Sequence, residues 1–133
     1  MNKALISSLF FIALTTLLTS CSSSKEEEPV NCTDEFVSII VKLVDKDNAP
    51  FSLSSYKVFV GDEDITSKVN CGYGIVGYYP IAHDSMQPQL EGKESIFTFI
   101  GYLSDKEILR KNITIGAGQC HIYCKENLTF TIE

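Results

Sequence analysis

The sequence is poor in several features that mark large classes of protein. It has only two histidines among 133 residues, and it contains no Cys-x₂-Cys spacing of the kind that binds zinc. Basic residues number 11 against 17 acidic ones, and the net charge of −6 disfavours binding to a nucleic-acid phosphate backbone. After residue 20 no apolar run is long enough to cross a membrane, and no window has the 3.6-residue period of a long amphipathic helix.

What is present begins with a secretory signal. Lys3 supplies a positive charge near the start, residues 4–18 are apolar apart from scattered serines and threonines, and small residues then lead to Cys21. We predict that residues 1–20 are a signal peptide. Its removal takes away the charge of Lys3 and leaves a mature net charge of −7. The apolar segment is too short for a spanning helix.

The residues before Cys21 indicate how the mature chain is held. Leu18-Thr19-Ser20-Cys21 resembles the recognition site of the lipoprotein signal peptidase. The resemblance implies that Cys21 becomes the acylated first residue of a lipoprotein, and that its acyl chains hold the protein at a membrane. The alternative is an ordinary secreted protein that carries a cysteine at this place by chance.

Residues 21–31 are predicted to form a lipidated, flexible tether, because residues 22–29 are polar or charged and have nothing apolar to bury. The lysine and three glutamates at residues 25–28 resemble the export signal of Bacteroidetes lipoproteins. That resemblance implies an outer-membrane location on the cell surface, whereas the alternative is a merely solvated acidic linker. Residues 84–86 resemble the O-glycosylation pattern of the same group, which implies that Ser85 lies on an exposed loop.

The rest of the chain alternates apolar and polar residues with period two. Val37, Ile39, Val41 and Leu43 share one face of the first candidate strand, and a turn cluster at residues 45–50 ends it. Further short segments of the same kind follow, separated by turn residues. We place strands at residues 36–44, 56–60, 75–79, 95–102, 109–115, 121–124 and 128–132, with Pro80 ending the third. About seven short strands predict an all-β fold, a single antiparallel β-sandwich over residues 32–133.

The first two strands also carry a resemblance. The Asp-x-Asp-Asn-x-Pro turn at residues 45–50, followed by Val-Phe-Val at residues 58–60, is similar to transthyretin-like and carboxypeptidase-regulatory-like domains, which are Ig-like sandwiches. Cys32 and Thr33, taken together with residues 120–122, resemble small uncharacterised surface lipoproteins of Bacteroidetes. None of these motifs is catalytic, so the resemblance implies a fold and not an activity.

Four cysteines remain once Cys21 is acylated, and four cysteines allow three disulfide pairings. If Cys120 and Cys124 lie in one strand, their Cα atoms are roughly 13 Å apart, beyond the reach of about 7 Å for a disulfide. Of the two remaining pairings we favour Cys32 with Cys120 and Cys71 with Cys124, which would tie the first strand to the end of the sheet. A metal site built from Cys120, His121, Cys124 and His83 is disfavoured, because His121 would face away from both cysteines.

Three other patterns suggest ligand or catalytic sites. The G-x-G-x-x-G run at residues 72–77 lacks the helix that a dinucleotide site needs after it, so we interpret it as a glycine-softened strand or loop. Acidic turns at residues 45–48 and 62–64 supply oxygen ligands suited to calcium, although turn chemistry explains them equally well. His83-Asp84-Ser85 has the residue types of a catalytic triad, but adjacent residues rarely converge on one proton path.

These observations favour a non-enzymatic protein with no metal and no cofactor. We expect a binding or accessory module at the cell surface, held at the membrane by its N-terminal lipid, with a protein or glycan ligand and no nucleic-acid partner. Tyr73, Tyr78 and Tyr79 are candidate contact residues for such a ligand, or else half-buried strand aromatics. The alternative function is a structural or assembly subunit of a surface complex that pairs through a strand edge.

Overall fold

The computed structural model describes residues 30–70, 72 and 74–133. The predicted signal peptide, the lipidation site Cys21 and most of the predicted tether lie outside these residues, as do Cys71 and Tyr73. No helix in the described part is both long and apolar enough to cross a membrane.

Two sheets pack face to face. The small sheet has the strand order β4-β1-β8, and the large sheet has the order β3-β2-β5-β6-β7. The strands are β1 Ser38–Val44, β2 Ser55–Val60, β3 Glu63–Asp64, β4 Tyr78–His83, β5 Glu94–Leu103, β6 Lys106–Ala117, β7 Ile122–Cys124 and β8 Thr129–Thr131. Two single-turn helices, α1 Thr66–Val69 and α2 Gln87–Leu90, and a 3₁₀ turn, Asp84–Met86, complete the order.

The prediction of an all-β antiparallel sandwich is confirmed, with eight strands in place of about seven. All strand pairs are antiparallel except that of β1 with β8. The additional strand, β3, has two residues, and a segment of that length carries no readable alternation. The same reason explains why the four-residue helices α1 and α2 were not predicted.

Alternate residues of the central strands form the core between the sheets. Val41 and Leu43 of β1 face Phe97 and Phe99 of β5, and all four side chains are almost completely buried. Burial of an aliphatic or aromatic side chain of this size contributes roughly 1.5–3 kcal/mol relative to the exposed state. The period-two pattern therefore determines which face of each strand points inward.

The prediction that Pro80 ends a strand at residues 75–79 is wrong. β4 begins at Tyr78 and continues through Pro80 to His83. Proline cannot donate to a ladder, so it is confined to edge strands and bulges. β4 meets both conditions. It is an edge strand of the small sheet, and Pro80 pairs with Ile40, next to a register shift between Ile39 and Ile40 of β1.

Gly77 is required where the glycine-rich run meets β4. Its φ of +81° lies in the left-handed region, and a Cβ at this position would lie 2.8 Å from Pro50 Cβ and 2.9 Å from the Leu43 carbonyl oxygen. The Gly77 carbonyl accepts a hydrogen bond from the Leu43 N–H at 2.7 Å, so the backbones cannot separate freely. The strand β4, and not a helix, follows the glycine-rich run. Gly77 therefore allows the backbone before β4 to pack closely against Leu43 and Pro50.

We predict that Gly77→Ala lowers the free energy of unfolding by roughly 2–4 kcal/mol, because the new Cβ adds steric overlap to the cost of a left-handed φ. Gly92→Ala is the matched control. Gly92 also has a left-handed φ, +70°, but nothing lies within 4 Å of its Cβ position. That variant should lose only about 1–2 kcal/mol. Urea denaturation of both variants measures the difference, and equal losses would contradict the packing argument.

Candidate functional site at the disulfide-bonded end

A disulfide bond fastens the N-terminal segment to one end of the sandwich. Cys32 and Cys120 are bonded, with their Cα atoms 5.4 Å apart and a separation of 88 positions in sequence. Cys120 lies in the connection from β6 to β7, and Cys32 precedes β1. This half of the predicted disulfide pairing is confirmed.

The second predicted bond is absent at Cys124, which is a free, half-buried thiol packed against the core. Its expected partner, Cys71, lies outside the described residues. The neighbouring Asn70 ends α1, which packs on β2 and β4, whereas Cys124 lies in β7 at the far edge of the large sheet. Three strand spacings separate β2 from β7, or about 14 Å, and the linear sequence gives no sign of this distance.

The Asp84 carboxylate joins three separate segments of the chain at the same end. Its Oδ2 accepts hydrogen bonds from the Val37 N–H at 2.8 Å and from His121 Nδ1 at 2.7 Å. Its Oδ1 accepts one from the Ile122 N–H at 3.0 Å. The carboxylate therefore holds the start of β1 and the start of β7 against the 3₁₀ turn that follows β4.

Asp84 is a partly buried carboxylate stabilised in its charged form. Its side chain is only 12% exposed. Burial raises the pKa of the carboxyl, but hydrogen bonds from the Val37 N–H, His121 and the Ile122 N–H, together with the charge of His121, outweigh it. The net result is a pKa below the ordinary value for aspartate, so the carboxylate stays ionised at neutral pH.

His121 extends this network to the N-terminal segment. Because Asp84 can only accept, His121 Nδ1 carries a hydrogen, and in the neutral ring Nε2 then accepts from the Thr33 hydroxyl at 3.0 Å. The resulting order of hydroxyl, imidazole and carboxylate is also that of nucleophilic hydrolases. Sequence reasoning missed it because the imidazole lies 88 residues from the hydroxyl and 37 from the carboxylate.

The adjacent run His83-Asp84-Ser85 does not converge. His83 Nε2 donates to the Lys68 carbonyl oxygen at 2.9 Å, away from the Asp84 carboxylate. Its other ring nitrogen, Nδ1, is buried and has no hydrogen-bond partner among the described residues. Ser85 is exposed on the 3₁₀ turn, which is the exposure that its predicted O-glycosylation requires.

A groove opens beside His83, and we call it the His83 groove. It has a volume of about 460 Å³ and lies between α1, the turn with α2, and the ends of β2 and β5. Its apolar residues are Val60, Ile65, Met86, Leu90 and Phe97. Its polar residues are Glu63, Lys68, His83, Ser85, Gln89, Lys93 and Ser95. Of the sequence-predicted candidates, the fold brings Glu63, His83 and Ser85 to this groove.

The acidic turns do not come together as a calcium site would require. Glu63 lines the His83 groove and pairs with Lys68. Asp45, in contrast, follows the C-terminal end of β1 and does not line that groove. Asp45 Oδ1 accepts the N–H groups of Asp47 and Ala49, so it serves the turn itself. Within residues 30–70, 72 and 74–133, no group of three or more His, Cys, Asp or Glu side chains could hold a metal ion.

The two described tyrosines of the glycine-rich region are half-buried strand residues. The Tyr79 hydroxyl accepts a hydrogen bond from the Leu53 N–H at 2.7 Å and donates one to the Phe51 carbonyl at 3.0 Å. Its ring packs 6.0 Å from that of Phe99, measured between centroids. Tyr79 therefore holds the connection from β1 to β2 against the sandwich.

We predict that replacing both bonded cysteines, Cys32→Ser with Cys120→Ser, lowers the free energy of unfolding by roughly 2–4 kcal/mol. The disulfide closes a long loop in the unfolded chain, and its removal gives the unfolded chain more conformational entropy. Cys124→Ser is the control and should cost about 1 kcal/mol or less. Urea denaturation under non-reducing conditions compares them. A larger loss from Cys124→Ser would mean that Cys124 makes the stabilising bond.

We predict that Asp84→Asn lowers the free energy of unfolding at pH 7 by roughly 1.5–3 kcal/mol, because hydrogen bonds to a charged acceptor become bonds to a neutral one. A depressed folded pKa stabilises the fold above the unfolded pKa of about 3.9, and this stabilisation is lost as the pH falls through the folded value. The difference in the free energy of unfolding between wild type and Asp84→Asn should therefore disappear below about pH 4. Ser85→Ala is the neighbouring control. A difference in the free energy of unfolding that does not change with pH would contradict a lowered pKa for Asp84.

Comparison with known proteins adds no relative from which a role could be transferred. No protein-family model, no curated protein and no solved structure matches the chain. The transthyretin-like and lipoprotein resemblances of the sequence remain predictions.

Proposed function

We propose that the chain is a lipid-anchored, non-enzymatic binding module of the outer-membrane surface, and that its ligand occupies the His83 groove. The observation that carries the proposal is the composition of that groove. Ligand sites are concave, occupy roughly 300–1,000 Å³, and combine an apolar lining with a few polar groups that fix orientation. The His83 groove, at about 460 Å³, has both components.

The groove residues indicate the chemistry of the ligand. Ile65, Leu90 and Phe97 are nearly fully buried and form an apolar floor. Ser85, Gln89 and Lys93 supply hydroxyl, amide and ammonium groups around it, while Lys68 is paired with Glu63. A ligand with an apolar face and a rim of hydroxyl or carboxylate groups complements this arrangement, and a short acidic glycan has that chemistry.

The non-enzymatic role is supported by the way Asp84 is used. The network of Thr33, His121 and Asp84 has the connectivity of a hydrolase, but two of the carboxylate's three hydrogen bonds come from backbone amides. A carboxylate bonded in this way fixes chain segments to one another. Thr33 itself follows the bonded Cys32, so its hydroxyl belongs to the fastening of the N-terminal segment.

Ser85→Trp tests the groove, because it places a large side chain on an exposed position of its lining. We expect binding of an acidic oligosaccharide, measured by titration calorimetry against a panel of neutral and acidic glycans, to weaken at least about tenfold, the equivalent of 1.4 kcal/mol. Ser52→Trp, at an exposed position outside the groove, should bind as the wild type does.

Two results would contradict the proposal. Equal loss of binding in Ser85→Trp and Ser52→Trp would place the ligand elsewhere. Hydrolysis of an ester or glycoside substrate that disappears in His121→Ala and persists in His83→Ala would show that the Thr33, His121 and Asp84 network is catalytic.

A second candidate function is that of a subunit in a surface assembly that pairs through a strand edge. One observation favours it: β6 has 12 residues, but its outer edge is paired with β7 only over the last three. Stoichiometric recovery of a partner from native outer membranes, lost when this edge is altered and retained in Ser85→Trp, would support assembly over ligand binding.

A further inference from the structure

The long strand β6 has one side covered and the other largely open. On one side it pairs with β5 from Lys106 to Gly116, with a register shift at Ile108. On the other side β7 pairs with Ile115, Gly116 and Ala117. No strand of the described chain pairs with residues 106–114 on that side, an edge of roughly 30 Å at 3.3 Å per residue. We call this segment the open edge.

The direction of the free backbone groups follows from one hydrogen bond. The Thr114 N–H donates to Glu126 Oε1 at 2.9 Å, so it points away from β5. Antiparallel ladders alternate, so Asn112 and Arg110, which pair with Thr98 and Ile100, have the same orientation. Their N–H and C=O groups are therefore directed outward from the open edge, and together they offer two donors and two acceptors.

The vacancy arises from the path of the chain after β7. β7 ends at Cys124, and the chain then crosses to β8 in the small sheet. The position next to β6 that β7 occupies beside residues 115–117 therefore has no strand beside residues 106–114. Beside the first part of that segment is a groove of about 550 Å³, with the apolar residues Phe51, Leu103, Ile108, Leu109 and Ile132 in its lining.

The remaining sheet edges are short or protected. β3, β7 and β8 have two or three residues each. β4 is longer, but it carries Pro80 and a register shift, both of which discourage pairing with another strand. The open edge has a register shift of its own at Ile108, but from Leu109 to Thr114 it is regular and contains no proline.

The charges on the open edge argue against a second copy of the chain as its partner. Residues 106–114 carry Lys106, Arg110 and Lys111 against the single acid Glu107, which pairs with Arg110, and their net charge is +2. Symmetric antiparallel pairing about residue 110 or 111 would set Arg110 opposite Arg110, or Lys111 opposite Lys111, and like charges directly opposite are destabilising. Pairing about residue 112 would use Thr114, whose N–H is already bonded to Glu126. Pairing about residue 109 would set Lys111 opposite Glu107, but it would also use Ile108, where the register shift interrupts the alternation of the backbone groups.

We propose that the open edge receives an extended segment of a different protein as a ninth strand, antiparallel to β6 and in line with β7. The segment carries acidic residues opposite Arg110 and Lys111, and its apolar side chains face the groove beside Ile108 and Leu109. This inference rests on the second candidate function and names the class of partner. Backbone hydrogen bonds supply the attachment, and the side-chain pattern supplies the selection.

The test uses the full chain in detergent and an eight-residue acetylated peptide of alternating valine and threonine with two central glutamates. We expect binding by fluorescence anisotropy, with amide shifts concentrated at Arg110 and Asn112 in NMR spectra. Methylating the two peptide nitrogens that face these residues removes two of four hydrogen bonds and should weaken binding at least about tenfold. Exchanging the two glutamates for lysines should weaken it similarly.

Asn112→Pro removes one outward donor at a position where an edge strand tolerates proline, and we expect it to weaken peptide binding about tenfold. Asn112→Ala is the matched control, because it loses the same side chain and keeps the N–H. Equal binding of methylated and unmethylated peptides, no binding at millimolar concentration, or a dimer of the full chain that dissociates when the peptide is added would each overturn the proposal.

The assembly function fails separately from the site. If the peptide binds as expected but Asn112→Pro loses no partner from native outer membranes, the open edge is a strand-addition site without that role. If Asn112→Pro loses a partner that Asn112→Ala keeps, the strand-addition site and the assembly function are both supported.

Discussion

Attachment of the N-terminal segment is the constraint on which the described architecture depends. β1 is the middle strand of the small sheet, and the residues before it are held at the end of the sandwich. The Asp84 carboxylate and the bond between Cys32 and Cys120 do this together. A charge with only 12% of its side chain exposed is tolerated because three hydrogen-bond donors are directed at it.

The sequence was sufficient for the parts of the fold that depend on local alternation. β1, β2, β5 and β8 lie within a few residues of their predicted positions, because each buries one face against the other sheet. Pro80 was misread because its tolerance depends on β4 being an edge, and a linear pattern does not show which strands are edges. The bond at Cys32 was predicted from the need to tie the first strand to the sheet, whereas the free Cys124 depends on strand order.

The functional residues were harder to predict for the same reason. His83, Asp84 and Ser85 attracted attention as consecutive residues, yet the chain turns so that they serve separate purposes: a contact with α1, a structural carboxylate and the lining of the groove. His121 and Thr33 had no local signal linking them to Asp84. The open edge of β6 is likewise a property of topology, since it exists because the chain leaves the large sheet after three residues of β7.

The bond between Cys32 and Cys120 also determines how the fold responds to mechanical force. A pull applied to the chain before Cys32 divides at the disulfide between the segment that leads into β1 and the connection from β6 to β7. β6 is held along its length by β5, so this branch is loaded in shear and many backbone hydrogen bonds must break together. Without the bond, the same pull would act directly on the start of β1, where the Val37 N–H is bonded to the Asp84 carboxylate. The disulfide thus converts the central hairpin of the large sheet into the mechanical support of the N-terminus.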